Sequence, residues 1–97
     1  MILRERDTPE GLMVSVCDRN ILGETFESGE LSLTVTEEFY GGDPADPEAV
    51  IDSLSRAWVA NLVGVEAVDL AIEHGFVDPE QVLEIDGTRH AQMLRMG

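Results

Sequence analysis

Lysine is absent from this chain, cysteine occurs once, and only five residues are aromatic. Every basic residue is therefore an arginine, and the six arginines face 20 acidic residues for a net charge of −14. A surface of that sign repels phosphate backbones and anionic lipid, which argues against nucleic-acid binding driven by counterion release and against a membrane partner. The single Cys17 excludes an internal disulfide and a cysteine-rich zinc site, and a free thiol fits a reducing compartment. No apolar run approaches the length of a membrane span, and no leader or lipidation signal is visible, so a soluble cytoplasmic protein is expected. The acidic residues are scattered along the chain, as solvated faces and helix caps are, and a high-salt cytoplasm would favour the same surface.

What is present is organised around Asp46 to Gly75, the longest stretch with helical periodicity. Asp46 fits an N-cap, Pro47 the first helical position and Glu48 the first turn. Val50, Leu54, Ala57, Trp58 and Leu62 recur at three- and four-residue intervals, which leaves Asp52, Ser53 and Arg56 facing water. Gly64 interrupts this stripe and Val65, Val68, Ala71 and Ile72 restart it, so two helices meeting near Gly64 are expected. His74 in the last turn and Gly75 after it end the second helix.

The rest reads as short strands and turns. Ile2 to Glu5 forms a first strand and Asp7 to Gly11 a turn. In the next strand, Leu12, Val14 and Val16 alternate with Met13, Ser15 and Cys17. Ile21 and Leu22 make a brief helical turn, and Glu24 to Gly29 a loop pinned by Phe26. Leu31, Leu33 and Val35 alternate with polar residues in a half-buried strand. Asp78 to Gln81 carries the pattern of a capped helical turn. Asp86 and Gly87 join Leu83–Ile85 to Thr88–Leu94 in a C-terminal hairpin. The 97 residues thus read as a single α+β domain, 1–97. It is a two-layer sandwich, with a mostly antiparallel sheet and two central helices on one face.

Four stretches carry a resemblance: CDRNILGETF at Cys17 to Phe26, EEFYGG at Glu37 to Gly42, ANLVG at Ala60 to Gly64 and HAQMLRM at His90 to Met96. In this order they resemble a small archaeal family of uncharacterised proteins, a domain of unknown function. The resemblance spans nearly the whole chain and implies an archaeal intracellular protein with a compact α/β fold. It supplies no activity or catalytic residue to carry over.

Two groups of residues stand out as candidate binding sites. Phe39 and Tyr40, beside the permissive Gly41 and Gly42, form a corner able to receive a peptide, a base or a ligand ring, or else to close the core. His90 and Gln92 share one face of the last strand, with Arg89, Ala91 and Met93 on the other. Asn61, near the break at Gly64, is expected to satisfy loose backbone groups. Asp43, Asp46, His74 and His90 lack the spacing of a metal motif, so no metal and no cofactor are expected. A Cys17 nucleophile with His90 as base would be opposed by the neighbouring Asp18, which raises the thiol pKa. The functional expectation is a non-enzymatic protein-interaction module with a protein partner. An RNA- or ribosome-associated factor using Arg89, Arg95 and Tyr40 is the alternative, and a small ligand-binding domain or enzyme using Cys17 and His90 the second. A homodimer formed through a sheet edge is a further expectation.

Overall fold

The computed structural model describes residues 1–95, so Met96 of the HAQMLRM stretch lies outside the described residues. β1 (Ile2–Thr8) and β2 (Gly11–Cys17) form a hairpin, its turn closed by the Thr8 hydroxyl, which donates to Gly11 O at 2.6 Å. A 3-10 turn (Arg19–Ile21) leads into a second hairpin, β3 (Thr25–Ser28) and β4 (Leu31–Thr34). The one-turn helix α1 (Glu37–Tyr40), the two-residue strand β5 (Asp43–Pro44) and helix α2 (Pro47–Arg56) follow. Then come β6 (Val59–Val63), helix α3 (Val65–Glu73), a 3-10 turn (Pro79–Gln81), and the final hairpin of β7 (Leu83–Ile85) and β8 (Thr88–Leu94).

The main sheet runs β5-β1-β2-β6-β8-β7, with β3 and β4 as a separate two-stranded sheet. Every pairing in the main sheet is antiparallel except β2 with β6, which the long crossover through α2 makes parallel. The α+β class, the two helices on one face and the C-terminal hairpin are as expected. In the last turn, Asp86 has φ 49° and Gly87 φ 85°, the backbone that a two-residue hairpin requires.

The expectation that the two helices meet at Gly64 fails, because the chain between them is the strand β6 at the centre of the sheet. Helix α2 begins as expected, with the Asp46 carboxylate accepting from Ala49 N at 2.9 Å, but it ends at Arg56. Trp58 N then donates to Leu12 O at 2.7 Å, and β6 inserts between β2 and β8. Ala60 and Leu62 are fully buried on the helix face and Val63 on the other, while Val59 and Asn61 are half-buried, and with Asn61 its one polar residue the strand lacks a clear polar alternation. Ser53, expected to face water, is also fully buried, and its hydroxyl donates to Glu5 Oε2 at 2.6 Å. Thr25 to Ser28, expected as a loop, pairs with β4, placing Phe26 opposite Leu33.

Two apolar clusters lie on opposite faces of the sheet. On the helix face, Val14 and Val16 of β2 and Ala60 and Leu62 of β6 pack with Val50 and Leu54 of α2 and Ala67, Val68 and Ala71 of α3. Alanines at the contacts let helices and strands approach closely. On the second face, Ile2, Cys17 and Val63 pack with Ile21, Val35 and Tyr40, covered by α1 and the β3–β4 hairpin. This cover extends over only part of the second face.

Candidate functional site

Most of the conspicuous sequence features turn out to hold the fold together. The Asp18 carboxylate, at the end of β2, reaches the N-terminus of α3 and accepts from Glu66 N at 3.0 Å and Ala67 N at 2.8 Å. It supplies from a distant strand the cap that α3 lacks locally. Gly64 makes room for it: its φ is +115°, and a Cβ there would overlap the Asp18 carboxylate. The CDRNILG and ANLVG stretches thus meet in one structural device.

The EEFYGG corner is also structural at its centre. Thr36 Oγ1 accepts from Phe39 N at 3.3 Å and starts the single turn of α1. Tyr40 is buried, which corrects the expectation of an exposed aromatic pair. Its ring meets that of Phe39 edge-on, with centroids 4.9 Å apart, and burial pushes its hydroxyl up to about 12. Cβ atoms on Gly41 and Gly42 would overlap the carbonyl oxygens of Glu37 and Leu3 respectively, so the pair lets the chain drop onto β1 as β5. Sequence inspection missed the role of Arg4 and Arg6. Arg4 Nη1 donates to Glu38 O at 3.0 Å, and Arg6 donates to Glu38 O at 2.6 Å and Phe39 O at 3.2 Å. Two guanidinium groups thereby satisfy the loose carbonyls at the end of α1, and Arg6 stacks on the Phe39 ring at 5.0 Å.

Cys17 and His90 do not converge. Strand register places Cys17 opposite Val63, and Val63 opposite His90. The two side chains are therefore two strand spacings apart, about 10 Å, with Val63 between them. Burial, and after it the charge of Asp18, push the Cys17 thiol up to about 11, while burial lowers the His90 pKa. A hydrogen-bonded nucleophile–base pair is thereby excluded. Among the described residues no three His, Cys, Asp or Glu side chains cluster as metal ligands, and no helix is long and apolar enough to cross a membrane.

His90 and Gln92 do share a face, as expected, and it is the second face of the sheet. Register extends it into rows: Arg4, Ser15, Asn61 and Gln92 stand side by side, and next to them Arg6, Met13, Val59 and Leu94. Toward β8 this surface is open. Asn61, Met13 and Val59 are half-buried, Gln92 is exposed, and Leu94 is 58% exposed. Asn61, expected to serve the backbone near Gly64, instead projects from the middle of β6 and has no hydrogen-bond partner among the described residues. No strand residue on this face of the main sheet is acidic, although the chain holds 20 Asp and Glu. The side chains toward β8 offer amide hydrogen bonding and apolar contact.

These features define an α+β domain that pairs a mixed six-stranded sheet, helices on one face, with a half-covered second face. The chain belongs to the family described as a protein of unknown function (DUF424), whose pattern matches residues 5–96. The fold is similar to the crystal structure of an uncharacterized conserved protein from the archaeon Methanopyrus kandleri. The two chains are 20% identical with a TM-score of 0.79, and the match covers 99% of this chain and 94% of that one. No curated protein matches the chain.

Proposed function

We propose that the protein is a non-enzymatic protein-interaction module whose contact surface is the open half of the second sheet face. The acid-free character of that surface in a chain of net charge −14 is the observation that carries the proposal. Its strand residues carry no carboxylate, and it combines an exposed leucine with unpartnered side-chain amides. RNA is a poorer fit. Arg4 and Arg6 are engaged with α1 carbonyls, Arg56 pairs with Glu5 and Asp52, and Arg89 pairs with Asp69 and Glu84.

Affinity capture from native extract, at low and high salt, tests the proposal with the wild-type chain beside a Gln92→Glu/Leu94→Glu double variant. Both substitutions fall on exposed positions and leave the core intact. The expected result is a reproducible protein partner that the variant loses while its thermal unfolding is unchanged. Equal capture by both chains, or no partner at either salt, defeats the proposal.

A further inference from the structure

The outer edge of β1 is mostly unpaired. β5 covers only Ile2 and Leu3 of this seven-residue strand. Met1 O accepts from Ala45 N at 2.8 Å, so alternation directs the backbone groups of Leu3, Glu5 and Asp7 to this outer edge, while those of Arg4, Arg6 and Thr8 bond to β2. The outward N–H and C=O groups of Glu5 and Asp7 have no backbone partner among the described residues. A cleft of about 690 Å³ lies on this edge, floored by Leu3 and Glu5 and walled by Gly41 and Gly42 on one side and Ala49 and Arg56 on the other. β5 shows that the edge accepts an antiparallel strand. The chain joins the edge only at Gly42, coming from α1, and leaves Glu5 and Asp7 without a strand partner among the described residues.

Charge decides what fits there. The edge reads Arg4, Glu5, Arg6, Asp7, with arginines toward one face and acids toward the other. A second copy paired across a two-fold axis keeps each face continuous. Centred on Glu5, it sets Arg4 against Arg6; centred on Arg6, it sets Arg6 against Arg6. Like charges directly opposite one another destabilise a strand pair, so the expected homodimer through this edge is disfavoured. Glu5 is already paired with Ser53 and Arg56, whereas Asp7 is exposed and Arg6 keeps its charge although its N–H groups are bound to α1 carbonyls, so a strand with a basic side chain opposite Asp7 and an acidic one opposite Arg6 complements the edge.

We infer that the β1 edge binds an extended segment of another protein by strand addition, with a basic side chain opposite Asp7 and an acidic one opposite Arg6. Main-chain hydrogen bonds to Glu5 and Asp7 hold the segment, and the charge pattern sets its register. The inference goes beyond the sheet-face proposal and stands without it, since a different surface carries it.

The probe is a short synthetic peptide of alternating lysine and glutamate. Controls are a peptide of the same composition with the charges in blocks, and the alternating peptide N-methylated along one hydrogen-bonding edge. Binding is followed by fluorescence anisotropy and by amide exchange at Glu5 and Asp7. The alternating peptide is expected to bind, to protect both amides and to exceed either control at least tenfold. Asp7→Pro removes an outward N–H without breaking a bond to β2 and should weaken binding about tenfold. If that variant fails to fold, Asp7→Lys, at an exposed carboxylate, should weaken binding severalfold. The Gln92→Glu/Leu94→Glu variant should bind as wild type, which separates this site from the sheet face. No binding, equal binding of the controls, or full affinity in the Asp7 variants would each overturn the inference.

Discussion

Asp18 and Gly64 are 46 residues apart in sequence, yet the structure makes them one unit, and a double-mutant cycle measures it. Asp18→Ala removes a cap, worth about 1 kcal/mol. It also leaves the Ala67 N–H, buried beside Asp18, without a partner, at about 1–3 kcal/mol more. A loss of about 3 kcal/mol is expected. Gly64→Ala forces a side chain into φ +115°, ψ 149°, a region essentially reserved for glycine and costing about 1–3 kcal/mol. Because the new Cβ overlaps the Asp18 carboxylate, it also displaces the cap, which brings the expected loss to about 4 kcal/mol. In the Asp18→Ala background there is no carboxylate to displace, so Gly64→Ala should cost only its backbone strain. The double variant should therefore be more stable than additivity allows, by about 2 kcal/mol. Urea unfolding of the four chains under one buffer supplies the cycle, and amide exchange at Glu66 and Ala67 shows whether the cap is lost. If Gly64→Ala costs the same in both backgrounds, the two residues do not act together and the account of α3 is wrong.

Cys17 should resist alkylation in the native state at neutral pH and react only on unfolding, since burial first and Asp18 second raise its pKa to about 11. An unfolded thiol ionises near pH 8.5. Unfolded chains therefore lose this proton while native ones keep it, and stability should fall as pH rises from about 9 to about 11. Cys17→Ala flattens that part of the pH profile, and an unchanged profile would refute the assignment. The −14 charge predicts a thermal midpoint that rises as potassium chloride is added, because screening relieves self-repulsion; a flat or falling midpoint would show that repulsion is not what limits stability.

Signals that act over a few residues are legible in the sequence. Asp46 before Pro47, Gln81 three residues after Asp78, and the Asp86–Gly87 pair each act through neighbours a few residues away, and each produced the element its chemistry predicts. β6 is hidden because Ala57 to Val63 is apolar except for Asn61, and a strand with one polar residue has no period-two signal to set against a helix. Its strand character depends on Leu12 O waiting to receive Trp58 N, which is a property of the assembled sheet. The Asp18 cap and the Arg4 and Arg6 bonds to α1 were hidden for the same reason. Their partners lie more than thirty residues away, so spacing along the chain carries no trace of them.

Of the four stretches that carry the family resemblance, structure accounts for Asp18, Tyr40, Gly41, Gly42 and Gly64 as cap, core and close approaches. Asn61 and Gln92 are among the residues left over. They come from different stretches, yet register sets them directly opposite each other on the open sheet face. Neither amide has a hydrogen-bond partner among the described residues, so neither is needed to hold the fold. Asn61→Ala and Gln92→Ala should each change unfolding free energy by less than about 0.5 kcal/mol, the range of surface substitutions that touch nothing. A loss above about 1 kcal/mol from either would mean that the amides brace the sheet, and would remove them from the proposed contact surface. Stability unchanged together with loss of a captured partner is the combination that only a binding role produces.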